Sequence, residues 1–323
     1  MAPLYTPFWY GFGGSSAKVE PPIISATGGT KTTSGNFVIH TFTGPGNFVI
    51  TSGKNNCDVL VVGGGAAGGN TVTLGGGGAG GVIYKTGDPL TPGSITITVG
   101  AGGEGGPGVA GDQGDDSVFA HPVNPYTAKG GMNASMMGAP WYPGSPNPGG
   151  TGPGHPGGTD VVTPGPIATA GGWGNDGGSG LYCGHSNCYG GGGGAGAGAV
   201  GGNHGGSGPN SPTGGANGGA GVRYDISGSP YYYSGGGGGG YYEGHDPTPS
   251  FHGGNGSPNG GGGSGGRSPT VPGYAGQAGA KYGAGGGSAS GAGGPTPHHT
   301  SAGGDGADGI LIVRYPDGGA HPA

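Results

Sequence analysis

Alternation of apolar and polar residues predicts β-strands near both ends of the chain. Residues 36–51, NFVIHTFTGPGNFVIT, hold two alternating runs around Gly44-Pro45-Gly46, a pattern typical of a β-hairpin. Further strands are predicted at CDVLVV (57–62), GGVIY (80–84), SITITVG (94–100) and GILIVRYP (309–316). The last strand follows the others by about 200 residues. A shared sheet therefore requires the intervening chain to leave and return.

The intervening residues 101–308 show no helical period. The chain instead carries pure glycine runs at 75–78, 190–194, 235–240 and 260–263, and the inserts between them are rich in Pro, Tyr, Asn and His. An ordered chain of this kind favours left-handed helices of the polyproline-II type, which have three residues per turn and no internal hydrogen bonds. Their N–H and C=O groups must pair with neighbouring segments. A helix surrounded on all sides then needs glycine at every position, and the inserts project as loops from the bundle ends.

These patterns predict a mainly β protein with essentially no α-helix. A small β-sandwich is formed by both chain ends, and a polyglycine-II helix bundle is attached to it. The expected divisions are an aromatic arm at 1–22, a sandwich base at 23–100 with 309–316, the glycine-rich bundle at 101–308 and a tail at 317–323.

Composition leaves disorder as the alternative to this fold. The chain has 98 Gly and 30 Pro among 323 residues, and such a content without a strict period usually means low complexity. Collagen is excluded because glycine comes in runs. The net charge is −6 and only 7% of residues are charged, so we expect no nucleic-acid partner. The sequence contains no apolar run of about 20 residues, so we expect no membrane insertion.

The stretch CDVLVVGGGAAGGNTVTL (57–74) resembles a strand entering a dinucleotide-binding turn. That turn needs a helix directly after the glycines and an acidic residue about 20 positions on. Here β-forming residues and four more glycines follow, and Asp88 lies in a predicted turn. We therefore predict no cofactor. The single G-x-S-x-G match, at residues 262–266, is expected by chance in so glycine-rich a chain, and no catalytic residue is predicted.

Two groups of side chains raise the question of metal binding. Asp112, Asp115 and Asp116 form either a polar turn or a weak cation site, and no closing Glu completes an EF-hand pattern. In YCGHSNCYG, Cys183 and Cys188 form a local disulfide, stay free thiols, or bind a metal ion with His185. The nearest further residue in the sequence that could bind such an ion is His204. A disulfide between Cys183 and Cys188 is the first expectation, and no metal site is predicted.

Aromatic residues in the inserts are the candidate recognition residues. Tyrosine and tryptophan offer rigid contact area with a polar group and stack on sugar rings, whereas Met makes adaptable surfaces. The alternative is that these rings only cover the outer glycine helices. The candidates are Met136, Met137, Trp141, Tyr142, Tyr231, Tyr232, Tyr233, Tyr241 and Tyr242.

The N-terminal segment PLYTPFWYGFGG is too short and too rich in proline to form its own core. Exposed, its aromatic residues would form an apolar patch. We therefore expect this arm to dock on a neighbouring subunit or to anchor the protein to a larger particle. The candidate anchoring residues are Tyr5, Phe8, Trp9, Tyr10 and Phe12.

The order of TGGTKTTSGNFVIHTFTGPGNFVITSG, DVLVVGGGAAGG, GGGGAGGVIY, LTPGSITITVGAGG and GADGILIVRYP resembles the glycine-rich domain of bacteriophage tail-fibre and other virion surface proteins. The resemblance covers about residues 24–316. It implies a β-sandwich base that carries a polyglycine-II bundle, often with host-binding loops.

From this resemblance we expect a non-enzymatic virion surface protein: a tail fibre, adhesin or decoration subunit, assembled in the host cytoplasm. Its expected partners are other virion proteins and a host-surface glycan or outer-membrane protein. Only the resemblance suggests a homotrimer. The alternatives are a purely architectural capsid or tail component and, more remotely, an ice-binding protein with small Thr, Ala and Val ridges.

Overall fold

The computed structural model describes residues 24–70, 75–107, 111–133, 175–178, 180–182, 188–204, 214–243, 253–266, 275–292 and 301–318. These residues form sixteen strands, and within the same ranges there is no α-helix. The strands are β1 (Ser25–Thr27), β2 (Thr30–Ser34), β3 (Phe37–Phe42), β4 (Gly46–Ser52), β5 (Asn55–Val62), β6 (Val82–Leu90), β7 (Gly93–Thr98), β8 (Ser117–Phe119), β9 (Tyr126–Ala128), β10 (Leu181–Tyr182), β11 (Cys188–Gly190), β12 (Val222–Tyr224), β13 (Tyr231–Tyr233), β14 (Tyr241–Glu243), β15 (Gly291–Ala292) and β16 (Ile310–Pro316).

Two five-stranded antiparallel sheets pack face to face. The outer sheet has the order β1-β4-β7-β8-β9, and the inner sheet has the order β2-β3-β16-β5-β6. The last strand of the chain, β16, lies between β3 and β5, as both chain ends sharing one base requires. Alternate residues of both sheets fill the space between them, with Phe48, Phe119 and Tyr315 as the largest buried rings. His40 lies in this core, where it contacts the Gly28 carbonyl through Nδ1 at 2.7 Å and the Tyr315 hydroxyl through Nε2 at 3.1 Å.

The hairpin predicted over residues 36–51 is wrong. Its two runs do form strands, but β3 belongs to the inner sheet and β4 to the outer sheet. The turn at Gly44-Pro45-Gly46 therefore carries the chain across the sandwich. Both strands contribute an apolar face to the core, where Phe42 and Phe48 meet edge to face at 6.5 Å. Packing the apolar faces of β3 and β4 against each other therefore stabilises the fold more than pairing these two consecutive strands in one sheet would.

The base and the bundle interleave along the chain. Strands β8 and β9 complete the outer sheet, although both lie in the range expected to be glycine bundle. Conversely, residues 63–70 and 75–81 leave the inner sheet between β5 and β6 and bond to the glycine segments. The boundary predicted at residue 100 therefore does not separate the sandwich from the bundle, because each includes residues on both sides of it.

Residues 63–69 show a three-residue repeat in their hydrogen bonds. Successive N–H groups donate to three different neighbouring segments in turn. The donors are Gly63, Ala66 and Gly69 to residues 75–81, Gly64 and Ala67 to residues 112–115, and Gly65 and Gly68 to residues 304–307. This is the geometry of a helix with three residues per turn that pairs only with its neighbours. It also shows why no α-helix follows the glycines after β5.

The glycine run at 235–240 lies in the middle of the bundle, and all six residues are buried. Its N–H groups donate to residues 260–263, residues 216–219 and Gly77, and its carbonyls accept from residues 285–288, 254–257 and 191–194. A Cβ at Gly237 would fall on the carbonyl oxygen of Gly286. An uninterrupted glycine run is therefore needed at a helix with neighbours on every side, as the sequence predicted.

A second apolar layer covers the other face of the inner sheet. Strands β12 and β13 pair as a hairpin whose Ile226 and Tyr233 pack against Ile39, Leu60 and Ile312. Strands β5 and β16 of the inner sheet are thus buried on both faces over most of their length, which explains their continuous apolar runs. On the same face Arg314 donates to Asp58 Oδ2 from Nη2 at 2.8 Å and from Nε at 3.2 Å.

Candidate recognition surfaces

The bundle has one end against the sandwich and one end away from it, which we call the proximal and distal ends. Residue 63 follows β5 directly, so the proximal end lies there. At the other end of that helix Gly69 donates to Gly75 and accepts from Ala289. The four-stranded sheet β10-β11-β14-β15 lies at this distal end, because Ala289 leads into β15 and Gly240, bonded to Gly191, leads into β14.

The described residues on both sides of seven other segments lie at the distal end of the bundle. The hydrogen bonds Gly253 to Gly266, Gly266 to Ser288 and Gly276 to Ala302 place several of their flanking residues in one layer. These segments are residues 71–74, 108–110, 183–187, 205–213, 244–252, 267–274 and 293–300. The described connections at residues 198–200, 225–230, 258–261 and 281–283 lie at the proximal end. The distal end is therefore where most inserts leave the glycine scaffold.

The longest insert, residues 134–174, is different. Its N-terminal flank, Asn133, lies at the distal end, where Asn133 Nδ2 donates to the Gly111 carbonyl. Its other flank, Asn175, bonds to the carbonyls of Gly196 and Ala197 near the proximal end. Four predicted recognition residues, Met136, Met137, Trp141 and Tyr142, lie outside the described residues. So do the anchoring candidates Tyr5, Phe8, Trp9, Tyr10 and Phe12.

The tyrosines of strand β13 lie at the proximal end. Tyr233 is 1% exposed and packs on the inner sheet, and burial raises its pKa to about 12. Tyr231 is half-buried, and its ring lies 4.9 Å from that of Tyr233 and 6.2 Å from that of Tyr282. Lys281 Nζ lies 5.4 Å from the Tyr231 ring and 5.6 Å from the Tyr232 ring. Only Tyr231 and Tyr232 therefore present ring surface to solvent here.

Tyr241 and Tyr242 lie in β14 at the distal end, so the structure separates them from the tyrosines of β13. Tyr241 is 3% exposed, and its N–H donates to Ser290 Oγ at 3.0 Å. Tyr242 pairs with Tyr189 on one side and with Gly291 on the other. A single surface cannot contain both tyrosine groups, and Tyr242 is the one that shares an end with the seven segments.

His204 also lies at the distal end. It is 9% exposed, and neither ring nitrogen has a hydrogen-bond partner within the described chain. Burial lowers the pKa of this imidazole from its ordinary 6.5, so it is neutral at neutral pH. From the sequence, His204 is only the metal-binding residue type nearest to the Cys183–Cys188 loop. Its burial, which makes it unusual, cannot be read from the sequence.

The aspartates of GDQGDDS do not form a common site. Asp116 accepts from Lys129 Nζ at 2.6 Å and from the Gly130 N–H at 2.9 Å, while Asp112 and Asp115 are exposed. Among the described residues, no group of three or more His, Cys, Asp or Glu side chains is arranged to hold a metal ion. In the same ranges no helix has the length and hydropathy needed to cross a membrane.

The sequence model of a family described as a glycine-rich domain matches residues 40–316. That range begins within β3 and ends at the last residue of β16, so it includes the inner sheet strands β5, β6 and β16 and the whole bundle. A search of curated proteins found no match.

Proposed function

The chain belongs to the glycine-rich domain family, and we propose that it is a non-enzymatic recognition protein on the surface of a bacteriophage particle. Its loops contact the host surface, and its glycine bundle and sandwich form the scaffold that carries them. The host ligand is a surface glycan or an outer-membrane protein. The virion assignment rests on the sequence resemblance, and the scaffold role rests on the structure.

The observation that supports this proposal is that the described residues flanking seven inserts lie together at the distal end. Each insert is flanked by glycine-rich segments whose hydrogen bonds run from backbone to backbone. The bonds do not depend on the insert's side chains, so an insert can change its sequence at little cost in stability. An arrangement of this kind suits a surface that must adapt to different ligands.

The aromatic arm supplies the contact with the particle in this proposal. Other virion proteins are its partners, and a homotrimer is the proposed assembly. Deletion of residues 1–14 should leave the unfolding temperature unchanged and abolish incorporation into particles. Normal incorporation of the truncated chain would refute the anchoring role.

Cell binding of the full-length chain tests recognition. The labelled chain is titrated onto a panel of Gram-negative bacteria, together with a variant that combines Trp141→Ala and Tyr142→Ala. The matched control is Phe37→Ala, which removes an exposed aromatic ring of the sandwich base that is not among the candidate recognition residues. Saturable binding that the double variant loses and the control retains is expected. A folded chain that binds no cell of the panel would contradict recognition and favour the architectural alternative.

One observation favours ice binding as a second candidate. The solvent face of the outer sheet carries short uncharged side chains in cross-strand rows. The rows are Thr27, Val49 and Ser94, then Asn47 and Thr96, then Thr98, Val118 and Thr127. The measurement is thermal hysteresis, which is the gap between the melting and freezing temperatures of ice in a solution of the protein. A measurable gap that is lost on Thr96→Lys would support ice binding. Absence of that gap would remove it.

A further inference from the structure

The hairpin formed by β12 and β13 has two faces of different chemistry. Its inner face packs Tyr224 and Tyr233 toward the inner sheet. Alternate residues of a strand point to opposite faces, so Arg223 and Tyr232 lie on the outer face. The register sets these two residues opposite each other, and such positions have Cβ atoms about 4.5–5.5 Å apart. Arg223 is exposed and Tyr232 is half-buried, so the outer face presents an aromatic side chain next to a cationic one.

Lys281 brings a second cation to the same ring. Its Nζ lies 5.6 Å from the centre of the Tyr232 ring and 5.4 Å from that of the Tyr231 ring. The backbone makes room for this side chain at Gly261, where an added Cβ would lie 2.7 Å from the Lys281 Cβ. The Lys281 stem is therefore held against the backbone, and its ammonium group is held beside the two rings.

Two positive charges at this face have no acidic partner in the protein. Among the described residues, neither Arg223 nor Lys281 forms an ion pair. The carboxylate of the hairpin, Asp225, lies 3.6 Å from Nη1 of Arg314 instead. The chain has 15 acidic residues and only 9 Lys and Arg, so a cation has many acidic residues to pair with. These two charges are therefore available to an anionic ligand.

We propose that Tyr232, Arg223 and Lys281, which we call the Tyr232 patch, bind an anionic saccharide, a sugar chain that carries carboxylate groups. The Tyr232 ring offers a sugar ring a rigid apolar surface with a polar edge. Arg223 can donate two parallel N–H groups to one carboxylate, and Lys281 supplies a compact ammonium group. The neighbouring rings of Tyr231 and Tyr282, 6.2 Å apart, extend the aromatic surface.

A nucleic acid is the other anionic polymer that stacks on aromatic rings. It carries a phosphate at every nucleotide, and proteins bind it through grooves lined with many cations. The Tyr232 patch offers two cations, and the whole chain has a net charge of −6. A saccharide matches the patch better, because its hydroxyl groups are uncharged and only its carboxylates need a cation.

The Tyr232 patch is separate from the distal recognition surface. It lies at the proximal end, whereas the described flanks of seven inserts lie at the distal end. Binding to the patch is measured with purified saccharides and without host cells. Its failure would leave the host-recognition proposal unaffected, and a failure of cell binding would leave the patch unaffected.

Calorimetric titration of the full-length chain with oligogalacturonate tests the patch, and maltoheptaose serves as the neutral saccharide. We expect saturable binding of oligogalacturonate that weakens as the salt concentration rises, and much weaker binding of maltoheptaose. Tyr232→Ala, Arg223→Gln and Lys281→Gln should each raise the Kd about tenfold, as expected for the loss of one hydrogen bond to a charged group or of one stacked ring. The matched control is Lys54→Gln, which removes an exposed cation between β4 and β5 and should leave the Kd unchanged.

Thermal unfolding of each variant separates a lost contact from misfolding. The proposal would be overturned if the folded wild-type chain bound no oligogalacturonate at low salt. Equal binding of maltoheptaose would also overturn it, as would a Kd that Tyr232→Ala and Lys281→Gln leave unchanged. Tighter binding of a single-stranded oligonucleotide than of oligogalacturonate would identify the patch as a nucleic-acid site instead.

Discussion

Replacement of Gly237 by alanine should destabilise the protein through the centre of the glycine bundle. The added Cβ would fall on the Gly286 carbonyl oxygen, with the Gly286 carbonyl carbon at 2.6 Å and the Gly287 nitrogen at 3.2 Å. An ordinary contact between non-bonded heavy atoms needs about 3.5–4.0 Å. The two glycine helices must therefore move apart by more than about 1 Å.

That movement breaks hydrogen bonds that the two helices share. Gly285 donates to the Gly235 carbonyl and Ser288 donates to the Gly238 carbonyl, each at 2.9 Å. Both bonds would lengthen beyond the usual limit of about 3.2 Å. A buried group left unpaired costs about 1–3 kcal/mol. Alanine restricts the unfolded chain, which offsets about 0.4–1 kcal/mol. For the two bonds together, less this offset, the expected net loss is about 1–5 kcal/mol in the free energy of unfolding.

Calorimetric unfolding measures this loss. At about 2 °C per kcal/mol for a large chain, the melting temperature should fall by roughly 2–10 °C. The control is Gly44→Ala, because a Cβ at Gly44 meets nothing within 4 Å, and its melting temperature should stay within about 1 °C of the wild-type value. Equal melting temperatures for Gly237→Ala and Gly44→Ala would refute close helix packing around residue 237.

Three further predictions concern the sandwich and its hairpin. Burial lowers the pKa of His40 from its ordinary 6.5, so the unfolded chain takes up this proton first and stability falls as the pH drops below about 6.5. The melting temperature of His40→Gln should depend less on pH there, and an unchanged dependence would contradict this. Tyr233→Ala removes a fully buried ring at a cost of about 3–5 kcal/mol, so limited proteolysis should cut residues 222–233 first, and unchanged cleavage would count against that packing. Burial raises the pKa of Cys57 to about 12, so a thiol reagent at about pH 8 should reach Cys57 only after denaturation, and rapid labelling of the native chain would argue against its burial.

Much of the fold is predictable because two patterns in the sequence each specify one kind of element. The short apolar runs at β5 and β16 predict buried strands. The uninterrupted glycine run at 235–240 predicts a helix with three residues per turn and neighbours on every side. The hairpin over residues 36–51 was predicted wrongly, because the turn at Gly44-Pro45-Gly46 looks the same whether its strands pair or cross the sandwich. The partner of β4 is β7, and nothing local in the sequence specifies that choice.

The candidate site was less predictable, because the solvent exposure of each side chain decides whether that residue can contact a ligand. Tyr231, Tyr233 and Tyr242 look alike in sequence, yet Tyr233 is buried against the inner sheet and Tyr242 lies at the opposite end of the bundle. Each is placed by contacts that are distant along the chain. His204 is identified by what surrounds it, since its burial depends on a glycine in β11. Such contacts arise only when the glycine helices are assembled.

Amide hydrogen exchange of the full-length chain tests the central claim, that the glycine-rich segments form an ordered scaffold. The N–H groups at 235–239 and 284–289 donate to neighbouring helices or turns at the positions that the structure assigns. Their exchange should therefore be slow, and comparable to that of β16 in the inner sheet. Exchange at the rate of an unfolded chain in these segments, while β16 remains protected, would contradict the bundle and the scaffold built on it.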